Sequence, residues 1–322
     1  MTGTPAPSGA YAHVGHRVSD GETLPTALLP LLRNGLERGD PVVLACGPGT
    51  AAALQDALDA ADRVVVIDPG PLGGRTPVAL AGYGSLIAQQ LPADGHRLQL
   101  VTGTTPRTGT ALVAWLQTEA LLNHVLADRT VDQFCLLHPA HVDPCWGLAS
   151  ATHPFMLTGE GVVPNQDSRP PVEVLQELGD VPGPDPIERT PPVVALTDVV
   201  DMRGLRRELA RALAGGPLTV EDAEDLVLAI DEIASNAAEH GMPPVDVRLW
   251  SSPEKVLCAV TDHGPCFDEP LAGYGPAHGS DLSRGGMGLW LARRAVDRMT
   301  TAEVDGGGCT VRLVVEPHLR AR

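Results

Sequence analysis

Four short apolar runs, Val42–Ala45 and residues 64–67, 98–101 and 134–137, are separated by stretches long enough for helices. Runs this short and this apolar suit strands buried on both faces of a parallel sheet. The stretches 23–37, 50–60, 78–90 and 110–126 are the helical candidates, although Pro25 and Pro30 blur where the first begins. Parallel neighbours need a crossover, and a crossover helix packs back on the sheet. The alternation therefore predicts a doubly wound α/β layer over about the first 165 residues.

Beyond Gly159 the chain changes character. Arg169-Pro-Pro, Pro182-Gly-Pro-Asp-Pro and Pro191-Pro192 punctuate it, and only 172–178 has helical potential. This reads as an interdomain connector, semi-rigid where proline is dense. A length of 322 residues, at roughly 150 per domain, agrees with two domains. The expected division is 9–165, a connector 166–191, and a second domain 192–317.

The second part has a short strand at 193–196, a helix over 198–213 ended by Gly215-Gly216-Pro217, and Thr219 as N-cap of a longer helix reaching about His240. Val245/Val247/Leu249 and Val256/Cys258/Val260 alternate with period two, as in a half-buried hairpin. A helix near 287–298 and a last strand, Cys309–Val315, follow. Helices and a mixed sheet suggest a two-layer α/β sandwich.

Charge excludes one function class. The chain has 40 acidic against 23 basic residues. Split at residue 189, the halves hold 10 basic against 20 acidic and 13 against 20. Neither has the excess cation that phosphate-backbone binding needs, so direct nucleic-acid binding is not expected. Lys255 is the only lysine, which removes any lysine-dependent phosphate loop elsewhere. No apolar stretch approaches the roughly 18–20 residues of a membrane span. The six cysteines include no C-x-x-C pair and several lie in apolar runs. The expectation is a soluble, cytoplasmic protein with reduced thiols.

The informative segment is Ala229-Ile-Asp-Glu-Ile-Ala-Ser-Asn-Ala-Ala-Glu-His-Gly241. On a helix Leu226, Ile230, Ile233 and Ala237 form a core stripe. Glu232 and Asn236, at i and i+4, stand about 40° apart on its flank, where their oxygens could face a metal-bound phosphate. Taken alone, a solvated Glu/Asn pair is the commoner meaning. Asp262-His-Gly264 ends a strand and could present one acceptor to a pocket, though alone it is an ordinary turn. Arg284-Gly-Gly286-Met-Gly288 precedes a helix, where glycines let backbone amides meet phosphates. Thr310 opens the last strand.

In this order and spacing the four features resemble the Bergerat ATP-binding fold of the gyrase/histidine-kinase ATPase superfamily. The compact form, with Asn-Ala-x-x-His, a lid of about twenty residues and Gly-Leu-Trp-Leu-Ala-Arg-Arg, is similar to the anti-sigma factor serine/threonine kinases. The resemblance covers roughly residues 193–316. It implies that Asn236 holds Mg2+, that Glu232 is the general base and that Asp262 accepts from the adenine amino group of ATP. Gly264 would shape that turn, Gly286 and Gly288 would line the phosphates, and Thr310 would support Asp262. Where the family usually has D-x-G-x-G-F, the second glycine is Cys266, a departure that puts turnover in doubt more than binding.

The first part resembles the sensory domain called MEDS. The matching features are His13, Asn34-Gly-Leu-Glu-Arg-Gly-Asp40, Thr118-Glu-Ala-Leu-Leu-Asn123 and His153-Pro-Phe155. Such domains look like degenerate relatives of P-loop ATPases, and Cys46-Gly-Pro-Gly-Thr50 lacks the phosphate-binding lysine. The resemblance implies a sensing or docking domain without ATPase activity. His13, His16, His138, His141 and His153 match no standard zinc spacing, so packed histidines are the expectation.

These resemblances together imply a cytoplasmic anti-sigma factor. It would bind a sigma factor and use MgATP to phosphorylate Ser or Thr of an anti-anti-sigma (STAS-domain) protein, with no membrane partner; kinases of this family are often homodimers. A non-catalytic nucleotide-binding partner switch is the alternative, favoured by Cys266. A sensor histidine kinase would need a helical hairpin with a phospho-accepting His, which the proline-rich connector does not offer.

Overall fold

The computed structural model describes residues 11–19, 21–59, 63–179, 185–266, 271–274, 287–304 and 307–317. The chain divides into two compact units, Met1–Leu178 and Gly179–Arg322.

The first unit runs β1 (Tyr11–Arg17), α1 (Leu29–Arg38), β2 (Val42–Ala45), α2 (Pro48–Leu58), β3 (Val64–Val66), α3 (Thr76–Gln90), β4 (Leu98–Gly103), α4 (Gly109–Val125), β5 (Val131–Leu137), α5 (Pro139–Val142), α6 (Trp146–Ala151), β6 (Phe155–Thr158), β7 (Gly161–Pro164) and α7 (Pro171–Gly179). Its sheet has the order β3-β2-β4-β5-β1-β6-β7. All neighbours are parallel except the β6–β7 hairpin. The apolar runs became β2 to β5, and every residue of β2 and β5 is buried.

Two parts of this sheet were not expected. β1 reads Tyr-Ala-His-Val-Gly-His-Arg, yet it lies between β5 and β6 and buries both histidines. Strand β7 of the closing hairpin falls where the composition already signals loop. The connector also holds more order than its prolines suggest. Val174 of α7 is buried against Ala120 and Ala151 of the first unit.

The second unit runs β8 (Val194–Leu196), α8 (Met202–Leu213), α9 (Val220–His240), β9 (Asp246–Ser251), β10 (Val256–Asp262), α10 (Gly288–Ala295), β11 (Arg298–Glu303) and β12 (Cys309–Val315). The sheet order is β11-β12-β10-β9-β8, and every pairing is antiparallel rather than mixed. Val247, Leu249, Cys258, Val260, Val311 and Leu313 point into one core with the inner stripes of α8, α9 and α10. This is a two-layer α/β sandwich.

The opposite face of that sheet is partly covered by the end of the connector. Ile187 packs on Trp250, Leu257 and Val314. Around it Lys255 Nζ meets Asp185 at 2.8 Å, Arg312 Nε meets Glu188 at 2.7 Å, and Trp250 Nε1 donates to Thr190 O at 2.9 Å. Residues 185–191 thus pack as part of the second unit. Among the described residues no helix is long and apolar enough to cross a membrane.

Candidate functional site

The site is built along α9. Thr219 Oγ1 accepts from Asp222 N at 3.1 Å and caps the helix start. Leu226, Ile230, Ile233 and Ala237 lie in the core beside α8 and the sheet, which fixes the helix's rotation. Glu232 and Asn236 are consequently half-buried on its flank. Asp231 faces elsewhere: Arg206 Nη1 of α8 donates to its Oδ2 at 2.9 Å, tying the two helices together.

α10 packs along α9 and begins at Gly288. A β-carbon added at Gly288 would lie 2.4 Å from Glu232 Oε2 and 3.6 Å from Asn236 Nδ2. The structure therefore brings Glu232, Asn236 and Gly288 together, in a cradle that any side chain at 288 would fill. Gly286 and the expected lid, apart from 271–274, lie outside the described residues.

Asp262 ends β10, and its side chain sits against the end of α9. A β-carbon on Gly241, the residue after α9, would lie 2.6 Å from Asp262 Cγ. Asp262 Oδ1 accepts from Gly264 N at 2.6 Å and from Met242 N at 3.2 Å. Both bonds fall on Oδ1, and Oδ2 takes part in neither. Gly264 is required by this closeness, since its own β-carbon would meet Asp262 Oδ1 at 2.9 Å and Met242 N at 3.1 Å. Between Glu232 and Gly241 the helix axis advances about 14 Å. The site is elongated, with a carboxylate acceptor at one end and a carboxylate, an amide and bare backbone at the other.

Thr310 departs from expectation. It lies opposite Thr261 in the β10–β12 ladder, and the two hydroxyls share a 2.8 Å hydrogen bond. Asp262 is held by backbone amides instead, because its strand partner is Cys309. That same register corrects the reading of the thiols: Cys266 and Cys309 form a disulfide across 43 residues of sequence. Cys46, Cys135, Cys145 and Cys258 are free. No spacing rule could reveal this pair, since it forms only when the turn after β10 folds back beside the first residue of β12.

Sequence reasoning also missed Arg293 of α10. Its Nε donates to Ala272 O at 2.8 Å and its guanidinium lies 4.2 Å from the Tyr274 ring centroid, so the described piece after Cys266 is pinned to α10. The Arg293-Arg294 pair was visible in the sequence, but not which carbonyl it would find.

The comparisons with known proteins bear on this unit. Residues 196–315 match the family model of the histidine kinase-like ATPase domain. That span holds Glu232, Asn236, Asp262, Gly264, Gly286, Gly288 and Thr310. The chain is also similar to the serine-protein kinase RsbW of Bacillus velezensis, 32% identical over 99 residues, covering 27% of this chain and 62% of that protein. The RsbW of Bacillus licheniformis is 33% identical over 98 residues, covering 27% and 61%. That of Bacillus subtilis is 30% identical over 99 residues, covering 27% and 62%. The chain thus spans about three-fifths of the length of these relatives.

The side chains fit the nucleotide such a domain implies. A carboxylate and an amide oxygen are hard donors of the kind Mg2+ takes, usually alongside water and phosphate oxygens. The glycine backbone beside them brings no side chain between the helix start and these two groups, and Asp262 offers an acceptor at the far end.

Proposed function

We propose that this chain is a cytoplasmic anti-sigma regulatory factor that phosphorylates Ser or Thr on an anti-anti-sigma (STAS-domain) protein and binds a sigma factor. The first unit would act as a MEDS-like input domain, and self-association as a homodimer belongs to the same reading. The observation that carries it is the grouping of Glu232 and Asn236 against the bare backbone of Gly288, inside a segment similar to serine-protein kinases.

MgATP, when bound, supplies the transferable phosphoryl group. Phosphoryl transfer asks the protein mainly for positioning and charge neutralisation. Asn236 would hold Mg2+ through its amide oxygen. Asp262 would orient the adenine end, with Gly264 and Met242 fixing its carboxylate. Gly286 and Gly288 would line the phosphates, and Thr310 would brace the strand pair behind Asp262 through Thr261. Glu232 would accept the proton of the attacking Ser or Thr hydroxyl.

Two substitutions on one helix test these roles. Glu232→Ala should keep MgATP binding and abolish transfer to the partner, because a general base acts in the chemical step. Asn236→Ala should weaken MgATP binding itself. Equal loss of both functions in both variants would point to helix packing instead and remove the assignment.

A second reading has its own observation. Cys266, where the related kinases usually have glycine, is covalently tied to Cys309. A nucleotide-binding partner switch without turnover would tolerate that tether. Wild type that binds a sigma factor yet transfers no phosphate, reduced or oxidised, would favour this reading.

A further inference from the structure

The first unit buries four side chains of a kind that ligate metals: His13 of β1, Glu119 of α4, Cys135 of β5 and His153, just before β6. Each is at most 3% exposed. One ligand atom from each lies within 4.8 Å of all the others. We propose that these four residues form a four-coordinate site for a zinc-class divalent cation, independent of the kinase reading of the second unit.

Four of the six ligand-to-ligand distances are close to those of a coordination shell. With N and O ligands at about 2.0–2.2 Å and S at about 2.3 Å, a tetrahedral ion sets its ligands about 3.3–3.6 Å apart. Here His13 Nε2 is 3.2 Å from Glu119 Oε2 and 3.2 Å from Cys135 Sγ. Cys135 Sγ is 3.6 Å from Glu119 Oε2, and His153 Nε2 is 3.4 Å from the same oxygen.

The surrounding hydrogen bonds decide what these atoms present to one another. Asn123 Nδ2 donates to Thr152 O at 2.7 Å, which turns Asn123 Oδ1 towards His13 Nδ1 at 3.2 Å. His13 therefore carries its proton on Nδ1 and aims the lone pair of Nε2 inwards. His153 Nδ1 lies 2.7 Å from Ala149 O, so its Nε2 also points a lone pair inwards, and that atom makes no properly directed hydrogen bond. Trp115 Nε1 donates to Glu119 Oε1 at 2.9 Å and leaves Oε2 facing the cluster.

The sulfur of Cys135 accepts from two donors, although burial in the absence of a cation favours its protonated thiol. Thr102 Oγ1 and Gln133 Nε2 each approach its sulfur at 3.3 Å, and Tyr11 Oη on Gln133 Oε1 at 2.8 Å fixes which end of that amide faces it. Two imidazole lone pairs and a carboxylate oxygen thus converge, with one thiol proton among them. A thiol proton can serve only one of these contacts, whereas a cation serves all four. Outer hydrogen bonds from ring N–H to carbonyl oxygen are the usual support of ligating histidines. Mixed N, O and S donors in a tetrahedron suit zinc. A cavity of about 180 Å3, lined among others by Tyr83, Arg107, Glu119 and Cys135, provides the entry path.

The test uses the full chain, kept reduced with a phosphine and stripped with a chelator. Zn2+ should be retained at one equivalent after desalting and raise the melting temperature. Co2+ should give tetrahedral ligand-field bands and a thiolate-to-metal charge-transfer band. Cys135→Ser should remove the charge-transfer band, while Cys46→Ser should keep it. Asn123→Ala, which frees the His13 ring, should weaken Zn2+ about 10- to 100-fold. Folded wild type that retains neither ion would overturn the site, and this measurement stands even if a variant fails to fold. A charge-transfer band that survives in Cys135→Ser would overturn it equally.

Discussion

Gly288 and Glu232 meet so closely that one added methyl at 288 would stand 2.4 Å from the carboxylate oxygen Oε2. Gly288→Ala must therefore displace the Glu232 carboxylate, the proposed base. Alanine is the better helix former by about 1 kcal/mol, so α10 should persist. Transfer of labelled phosphate should fall on the order of 100-fold with the melting temperature nearly unchanged. Equal transfer by the variant and wild type would mean that the carboxylate is not placed by this contact.

Asp262→Asn should impair ATP binding for a reason visible in its partners. The amides of Gly264 and Met242 donate to Oδ1, so an asparagine would keep its oxygen there and turn its NH2 outward. A donor would then face the adenine amino group. Losing one charge-assisted hydrogen bond of about 1.5–3 kcal/mol predicts a roughly 10- to 150-fold weaker affinity by calorimetry.

Counting thiols checks the bond between strand and turn. Alkylation of the denatured, unreduced chain should label four cysteines, and six after reduction. Reduction should lower the stability of the second unit by about 2–4 kcal/mol, the usual range for a cross-link closing a loop of this size. Cys266→Gly should leave the four free thiols plus an unpaired Cys309, and transfer in this variant above that of oxidised wild type would identify the tether as the brake on turnover.

Acid should act through Asp185. Burial raises the pKa of its carboxyl, but the hydrogen bond from Lys255, a backbone donor and the Lys255 and Arg298 charges outweigh that and leave it lowered. A lowered carboxyl pKa adds stability above the unfolded value of about 3.9, and the gain is lost as pH falls through the folded value. Lys255→Met should cost about 0.5–1.5 kcal/mol at neutral pH, screening included, and its stability should fall less steeply below pH 4. Parallel melting curves of the two proteins from pH 7 to pH 3 would remove this pair from the acid response.

The parts of the fold that could be read in advance are those where one strand face or both are simply apolar. β2, β5 and β12 announce themselves through Val, Leu and Phe, and α9 through its stripe and the Thr219 cap. β1 does not, because His13 and His16 are tolerated inside only once α4, β5 and the β6 strand supply partners. β11, Arg-Met-Thr-Thr-Ala-Glu, is an edge strand with little apolar content, and the helical pattern before it runs on into its first residue, Arg298. In the site, Glu232 and Asn236 follow from helical spacing, whereas the Thr310–Thr261 pair depends on a ladder register, and the Cys266–Cys309 pair on how the following turn folds back, neither of which a local pattern encodes. The His13 cluster was hidden for the same reason: four elements spread over 140 residues meet only after the sheet has closed its crossovers.

α9 carries the hydrophobic stripe and the Glu232–Asn236 pair on the same 21 residues. A screen scored on the proposed phosphotransfer output alone would therefore enrich Ile230, Ile233 and Ala237 substitutions beside those of Glu232, although the first three lie in the hydrophobic core. The two classes separate only when output is divided by the amount of folded protein in each cell. Measured that way, the core positions should return to normal specific output at low temperature, and position 232 should stay silent at every temperature.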